Sequence, residues 1–128
     1  MKIKCIKFLS HAGEELTHPP LRSSLAIGEI YQVMVVWILP DGRKMFGLVL
    51  DEKEGQWPTL SLHWEKSFEI VSAVSPSNWR VKTRPNGFIL IGPEPWTEDA
   101  FLERFSDHEP ETFAIFKAEQ EIIMKEDN

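Results

Sequence analysis

Two apolar runs separated by a turn constrain this chain more than any other feature. Residues 29–39 read EIYQVMVVWIL and residues 44–50 read KMFGLVL, both rich in β-branched, aromatic and leucine side chains that favour extended backbone. Between them stands Pro40-Asp41-Gly42-Arg43. Proline presets φ there and glycine accepts a positive φ, so the runs fold back as an antiparallel hairpin. A hairpin this apolar needs further layers to cover it.

The remaining segments supply such layers. Residues 2–9, KIKCIKFL, alternate with a period of two and predict a strand. Residues 10–28 hold two prolines, two glycines and four Ser/Thr, and read as a loop with at most a helical turn. Short strands are expected at 57–62 and 67–73. Residues 79–84 alternate Trp79, Val81 and Thr83 with Arg80, Lys82 and Arg84, and Pro85-Asn86-Gly87 turns the chain into the apolar 88–91, a second hairpin. Residues 2–92 therefore predict a bent antiparallel sheet or partial β-barrel. After Gly92 the composition changes. Thr97 is an expected N-cap, with Glu98 and Asp99 in the first turn of a helix over 98–106. Pro110 opens a second helix over 110–125, whose Phe113, Ile115, Phe116, Ile122 and Ile123 predict a broad buried stripe. The fold class is α+β, in one domain over residues 1–128.

Composition narrows the function. A chain of 128 residues with 42% hydrophobic and 27% charged side chains can bury one core. Its formal charge of −6 disfavours nucleic acid and anionic membranes as partners. One cysteine, Cys5, excludes an internal disulfide and suits a packing role in a cytoplasmic protein. No run approaches the roughly 20 apolar residues that span a bilayer. The Lys-apolar alternation at the N-terminus also lacks a secretory pattern.

Catalytic patterns are sparse. His11, His18, His63 and His108 lie far apart, and none has metalloprotease spacing. Asp51, Glu52 and Glu54 crowd a turn without the spacing of a calcium loop. His63 and Glu65, two residues apart, would share a strand face as the acid–base pair of a small hydrolase. Ser10 and His11 are adjacent, but no nucleophile elbow or phosphate-cradling loop accompanies them. Neither a cofactor nor a metal is expected.

Charge and tryptophan carry more. Residues 94–128 hold eleven carboxylates against three cations, Arg104, Lys117 and Lys125, while residues 1–93 carry a slight excess of base. An acidic surface of that density favours a basic partner. Glu98, Asp99, Glu103, Asp107, Glu109 and Glu111 are its candidate contacts. Five tryptophans stand at 37, 57, 64, 79 and 96. Trp57 and Trp64, at strand ends, are candidate apolar anchors, and with Tyr31 they could line the groove of a peptide- or ligand-binding module. Arg80, Lys82 and Arg84 form a basic stripe that suits protection of a sheet edge.

The order of Gly28-Glu29-Ile30-Tyr31-Gln32-Val33, Ser67-Phe68-Glu69-Ile70-Val71, Ser77-Asn78-Trp79 and an acidic helical tail resembles small bacterial proteins with a Src-homology-like β-barrel half. Some of these are similar to immunity proteins encoded beside polymorphic or contact-dependent toxins. The resemblance implies a non-catalytic protein that blocks a cognate toxin, often a basic nuclease. It assigns no residue, because such proteins diverge most where they touch the toxin. The expected function is inhibitory binding of a basic protein.

Overall fold

The computed structural model describes residues 1–20 and 24–126, so residues 21–23 of the expected 10–28 loop lie outside the described residues. Ten strands occur among them: β1 (Lys2–Cys5), β2 (Phe8–Leu9), β3 (Glu15–Leu16), β4 (Ile30–Gln32), β5 (Val35–Ile38), β6 (Lys44–Val49), β7 (Leu60–Trp64), β8 (Phe68–Ser72), β9 (Trp79–Thr83) and β10 (Ile89–Pro93). Three helices follow, α1 (Glu94–Thr97), α2 (Phe101–Ser106) and α3 (Pro110–Glu126). The class is α+β, as the patterning implies.

The strands form three antiparallel sheets, with no closed barrel. The predicted central hairpin is present, Val36 facing Phe46 and Trp37 facing Met45. Its first run, however, divides between two sheets. Val33 N–H donates to Met1 O at 3.0 Å, while the next residue, Met34, donates to Gly47 O at 2.9 Å. At that point the chain leaves the three-stranded sheet β4-β1-β8 and enters the five-stranded sheet β7-β6-β5-β10-β9. Strand β2 pairs with β3 inside the segment read as a loop, a pairing too short to leave a periodic signal. Strand β7 begins three residues later than expected, so Trp57 precedes it.

Two glycines let one side chain sit within the large sheet. A Cβ on Gly47 would lie 2.3 Å from Val35 Cγ1, and one on Gly92 would lie 2.9 Å from Val35 Cγ2. Val35 is fully buried and occupies the space that its neighbours on β6 and β10 leave open.

The helices depart from the sequence reading where the core claims a residue. Thr97 caps nothing. It ends α1, is buried, and donates its hydroxyl to Glu94 O at 2.7 Å. Ala100, in the left-handed region at φ 64°, precedes α2 instead. Helix α3 starts at Pro110 as expected, yet it buries Thr112, Phe116, Gln120 and Ile123 and leaves Phe113, Ile115 and Ile122 exposed. The reason is an aromatic stack. The Phe116 ring lies 4.2 Å from Trp96 and 3.9 Å from Phe105, nearly parallel to both, which fixes the rotation of α3. Asn78 Nδ2, donating to Glu119 O at 3.1 Å, and Gln32 Nε2, donating to Ile123 O at 3.4 Å, hold the helix in that orientation across both larger sheets. No helix among the described residues is long and apolar enough to cross a membrane.

Gly47→Ala should cost about 1–3 kcal/mol in urea denaturation, because Val35 cannot move out of a close-packed interior. Part of that loss should return when Val35→Ala is added. Additive losses would refute the steric account.

Candidate functional site

The site is built around β7, a strand with a polar face and an apolar face in a sheet that carries buried residues on both. Residues directly opposite in a sheet share a face. Ser61 pairs with Leu48 and His63 with Phe46, and both partners are core residues. The polar members of LSLHW therefore share the face of Phe46 and Leu48, while Leu60, Leu62 and Trp64 share the opposite face with the buried Val35 and Leu90. His63 meets the ring of Phe68 edge-on at 6.3 Å, where the five-stranded sheet approaches β8. Its Nε2 lies 2.9 Å from Ser61 Oγ, which also reaches Leu48 O at 3.3 Å. Burial pushes the His63 pKa below the usual imidazole value, so the ring stays neutral near pH 7.

A cavity of about 490 Å³ opens beside this strand. Ser61, Leu62, His63 and Trp64 all line it, as do Leu9 and His11 across from them and residues of the 50–59 loop. The loop is held by Trp57, whose Nε1–H donates to Phe105 O at 2.8 Å and whose ring stacks on His108 at 4.6 Å. Glu52 adds an ion pair with Lys117 and accepts from Gln120 Nε2 at 2.7 Å.

A second cleft of about 440 Å³ lies between the Leu60–Leu62 face of β7 and α2. Trp37, Leu60, Leu62, Leu102 and Phe105 supply apolar walls, and Glu103, Ser106 and Asp107 complete the lining. Leu62 is exposed although apolar.

The predicted acidic contacts separate into two groups. Asp99 pairs with Arg84, while Glu109 and Glu111 both pair with Arg104, at 2.8 and 2.7 Å. The Glu111 carboxyl sits below the usual carboxylate range through its own backbone N–H and the Arg104 guanidinium. By contrast Glu98, Glu103 and Asp107 are exposed and form no ion pair or side-chain hydrogen bond among the described residues. Glu103 and Asp107 flank the cleft, and Glu98 stands in the α1–α2 link.

The two predicted tryptophan anchors are engaged within the fold. Trp57 is the strut just described. Trp64 donates Nε1–H to His11 O at 3.0 Å and carries the Arg43 guanidinium 4.8 Å from its ring centroid. Tyr31 lies in the three-stranded sheet, lines neither cleft, and accepts from Ala26 N–H at 2.9 Å. Glu65 falls in a 3-10 turn (Glu65–Ser67), so the acid–base pair with His63 does not form and Ser61 is the neighbour instead. Cys5 is buried, and burial raises its thiol pKa. Trp37, Leu60, Ser61, Leu62 and Leu102 were not singled out by sequence reasoning. The signal for Leu60, Ser61 and Leu62 was the alternation of LSLHW, whose facing needs the register with β6. Among the described residues no group of His, Cys, Asp and Glu is disposed to hold a metal. Compared with known protein families, curated proteins and solved structures, the chain matches none.

A buried neutral histidine gives a signed pH dependence. The unfolded chain takes up the proton that folded His63 resists, so stability should fall as pH drops below about 6.5. Urea midpoints at about pH 7.5 and 5.5 measure the fall. It should shrink in His63→Gln, and an undiminished fall in that variant would exclude His63 as its source.

Proposed function

We propose that this chain is a non-catalytic, inhibitory binding protein that takes a basic protein in the cleft between α2 and β7. This is the immunity-like role implied by its resemblance, with a basic toxin as partner. The observation that carries the reading is the coincidence of an apolar cleft with carboxylates that have no internal cation. Trp37, Leu60, Leu62 and Leu102 offer area to be buried, and Glu103 and Asp107 stand at its margin.

The two contributions act on different rates. Unpaired surface carboxylates steer a cationic partner and raise its association rate by about 10 to 1000-fold at low salt. Apolar contact, once made, slows dissociation. Asp99, Glu109 and Glu111 contribute less to the steering, since Arg84 and Arg104 already offset them. Glu98 adds to the field near the start of α2.

Two cationic probe peptides of equal composition, Ac-LKLKLKLK-NH2 and Ac-LKKLLKKL-NH2, test the charge and the cleft together by surface plasmon resonance. Association of at least one should slow about tenfold or more in E103K/D107K at low salt. The control E14K/E121K changes net charge equally and should leave it unchanged. Leu62→Ser should mainly raise the dissociation rate. Equal slowing in both charge variants, or association indifferent to salt, would overturn the reading.

A further inference from the structure

The cavity beside β7 has a shape that its lining reveals. Ser61, Leu62, His63 and Trp64 are consecutive, and their side chains alternate between the two faces of the sheet, yet all four line the same space. A cavity on one face could touch only every second residue. One that touches all four runs along the strand's backbone edge. Strand β7 is the end strand of its sheet, paired with β6 on one side alone. Among the described residues, no backbone hydrogen bond outside that pairing involves any residue of Leu60–Trp64.

The two edges of the large sheet differ. At the other end β9 reads WRVKT, and its Arg80 and Lys82 are exposed, the usual guard against pairing with another chain. Strand β7 has no charged residue and no proline. It is also regular, with five residues in unbroken register against β6. Beyond it the cavity separates β7 from Leu9–His11, Pro20 and Ser24, and at one end the Trp64 indole bridges to His11 O.

We infer that β7 accepts an extended segment of the basic partner as an added antiparallel or parallel strand. Main-chain groups of the segment would bond the free edge. On one side of the strand its side chains would meet Ser61 and His63, and on the other they would reach the cleft of Leu60 and Leu62 near Glu103 and Asp107. The matching ligand is an extended peptide with apolar and basic residues in alternation. The inference rests on the proposed function for the charge of the occupant, and on the edge geometry for its conformation.

The full chain is titrated with Ac-LKLKLKLK-NH2, its analogue N-methylated at alternate residues, and Ac-LKKLLKKL-NH2, with amide exchange of residues 60–64 followed by NMR. Strand addition predicts slowed exchange at the outward β7 amides with the first peptide. It also predicts binding weaker by about tenfold or more for the N-methylated analogue, which keeps the side chains and loses donors. Equal binding of the two would overturn strand addition, as would tighter binding of Ac-LKKLLKKL-NH2, whose leucines recur at helical rather than strand spacing. If that binding still weakened in E103K/D107K, the acidic cleft would stand without the strand. Slowed β7 exchange that persists unchanged in E103K/D107K would sustain the strand and remove the acidic cleft. Slowing that grows with protein concentration alone, before peptide, would mean that a second copy pairs there and would overturn the basic-segment assignment.

Discussion

The stack of Trp96, Phe116 and Phe105 is the contact on which the arrangement of both clefts depends. Trp96 and Phe116 are wholly buried, and Phe105 nearly so. One ring from each of the three helices meets in a near-parallel column. Through Phe105 the column continues to Trp57, and from there to His108 and Phe113. Aromatic burial of this extent contributes both area and orientation, because offset parallel rings resist rotation in a way that aliphatic contacts do not. The position of α2 over the sheet, and so the width of the outer cleft, follows from where Phe105 must sit. The 50–59 loop that borders the inner cavity is tied to the same column by Trp57. Both clefts are thus set by one packing decision.

Strand β7 lies in a sheet with buried residues on both faces, Phe46 and Leu48 on one and Val35 and Leu90 on the other. Ser61 and His63 share the first face, and Leu62 and Trp64 share the second. Placing polar groups on such a face is costly without partners, and here Ser61 and His63 satisfy one another at the margin of a cavity rather than within close packing. Leu60 and Leu62 leave apolar area that α2 only partly covers. One short strand thus borders an apolar cleft under α2 and, along its backbone edge, a cavity of mixed lining.

The C-terminal carboxylates serve two ends. Glu119 and Glu126 bond Asn78 and Ser77, tying α3 to the loop before β9, while Asp99, Glu109 and Glu111 meet arginines. The charge density of residues 94–128 is therefore higher in composition than in the field offered outward. What remains unpaired among the described residues is a smaller group, Glu94, Glu98, Glu103, Asp107 and Glu121, of which Glu103 and Asp107 border apolar area.

Period-two alternation marked β1 and β9, apolar runs and turn chemistry marked the central hairpin, and Pro110 marked the start of α3, because each signal is carried by neighbouring residues. The asymmetry of charge was equally open to inspection. What a linear reading could not hold was the facing of each element. An alternating strand has two equivalent ways to turn until a partner's register selects one, so the placing of Ser61 and His63 on the face of Phe46 and Leu48 became visible only from the pairing with β6. The division of residues 29–39 at Val33–Met34 likewise follows from pairing with distant residues, Met1 and Gly47. Rotation of α3 obeyed the aromatic column rather than its own apolar count, and the acids found their cations across turns and helices. Local sequence thus decided which elements exist, and contacts between remote segments decided which face each one turns inward, since only packing distinguishes two orientations that cost the isolated segment the same.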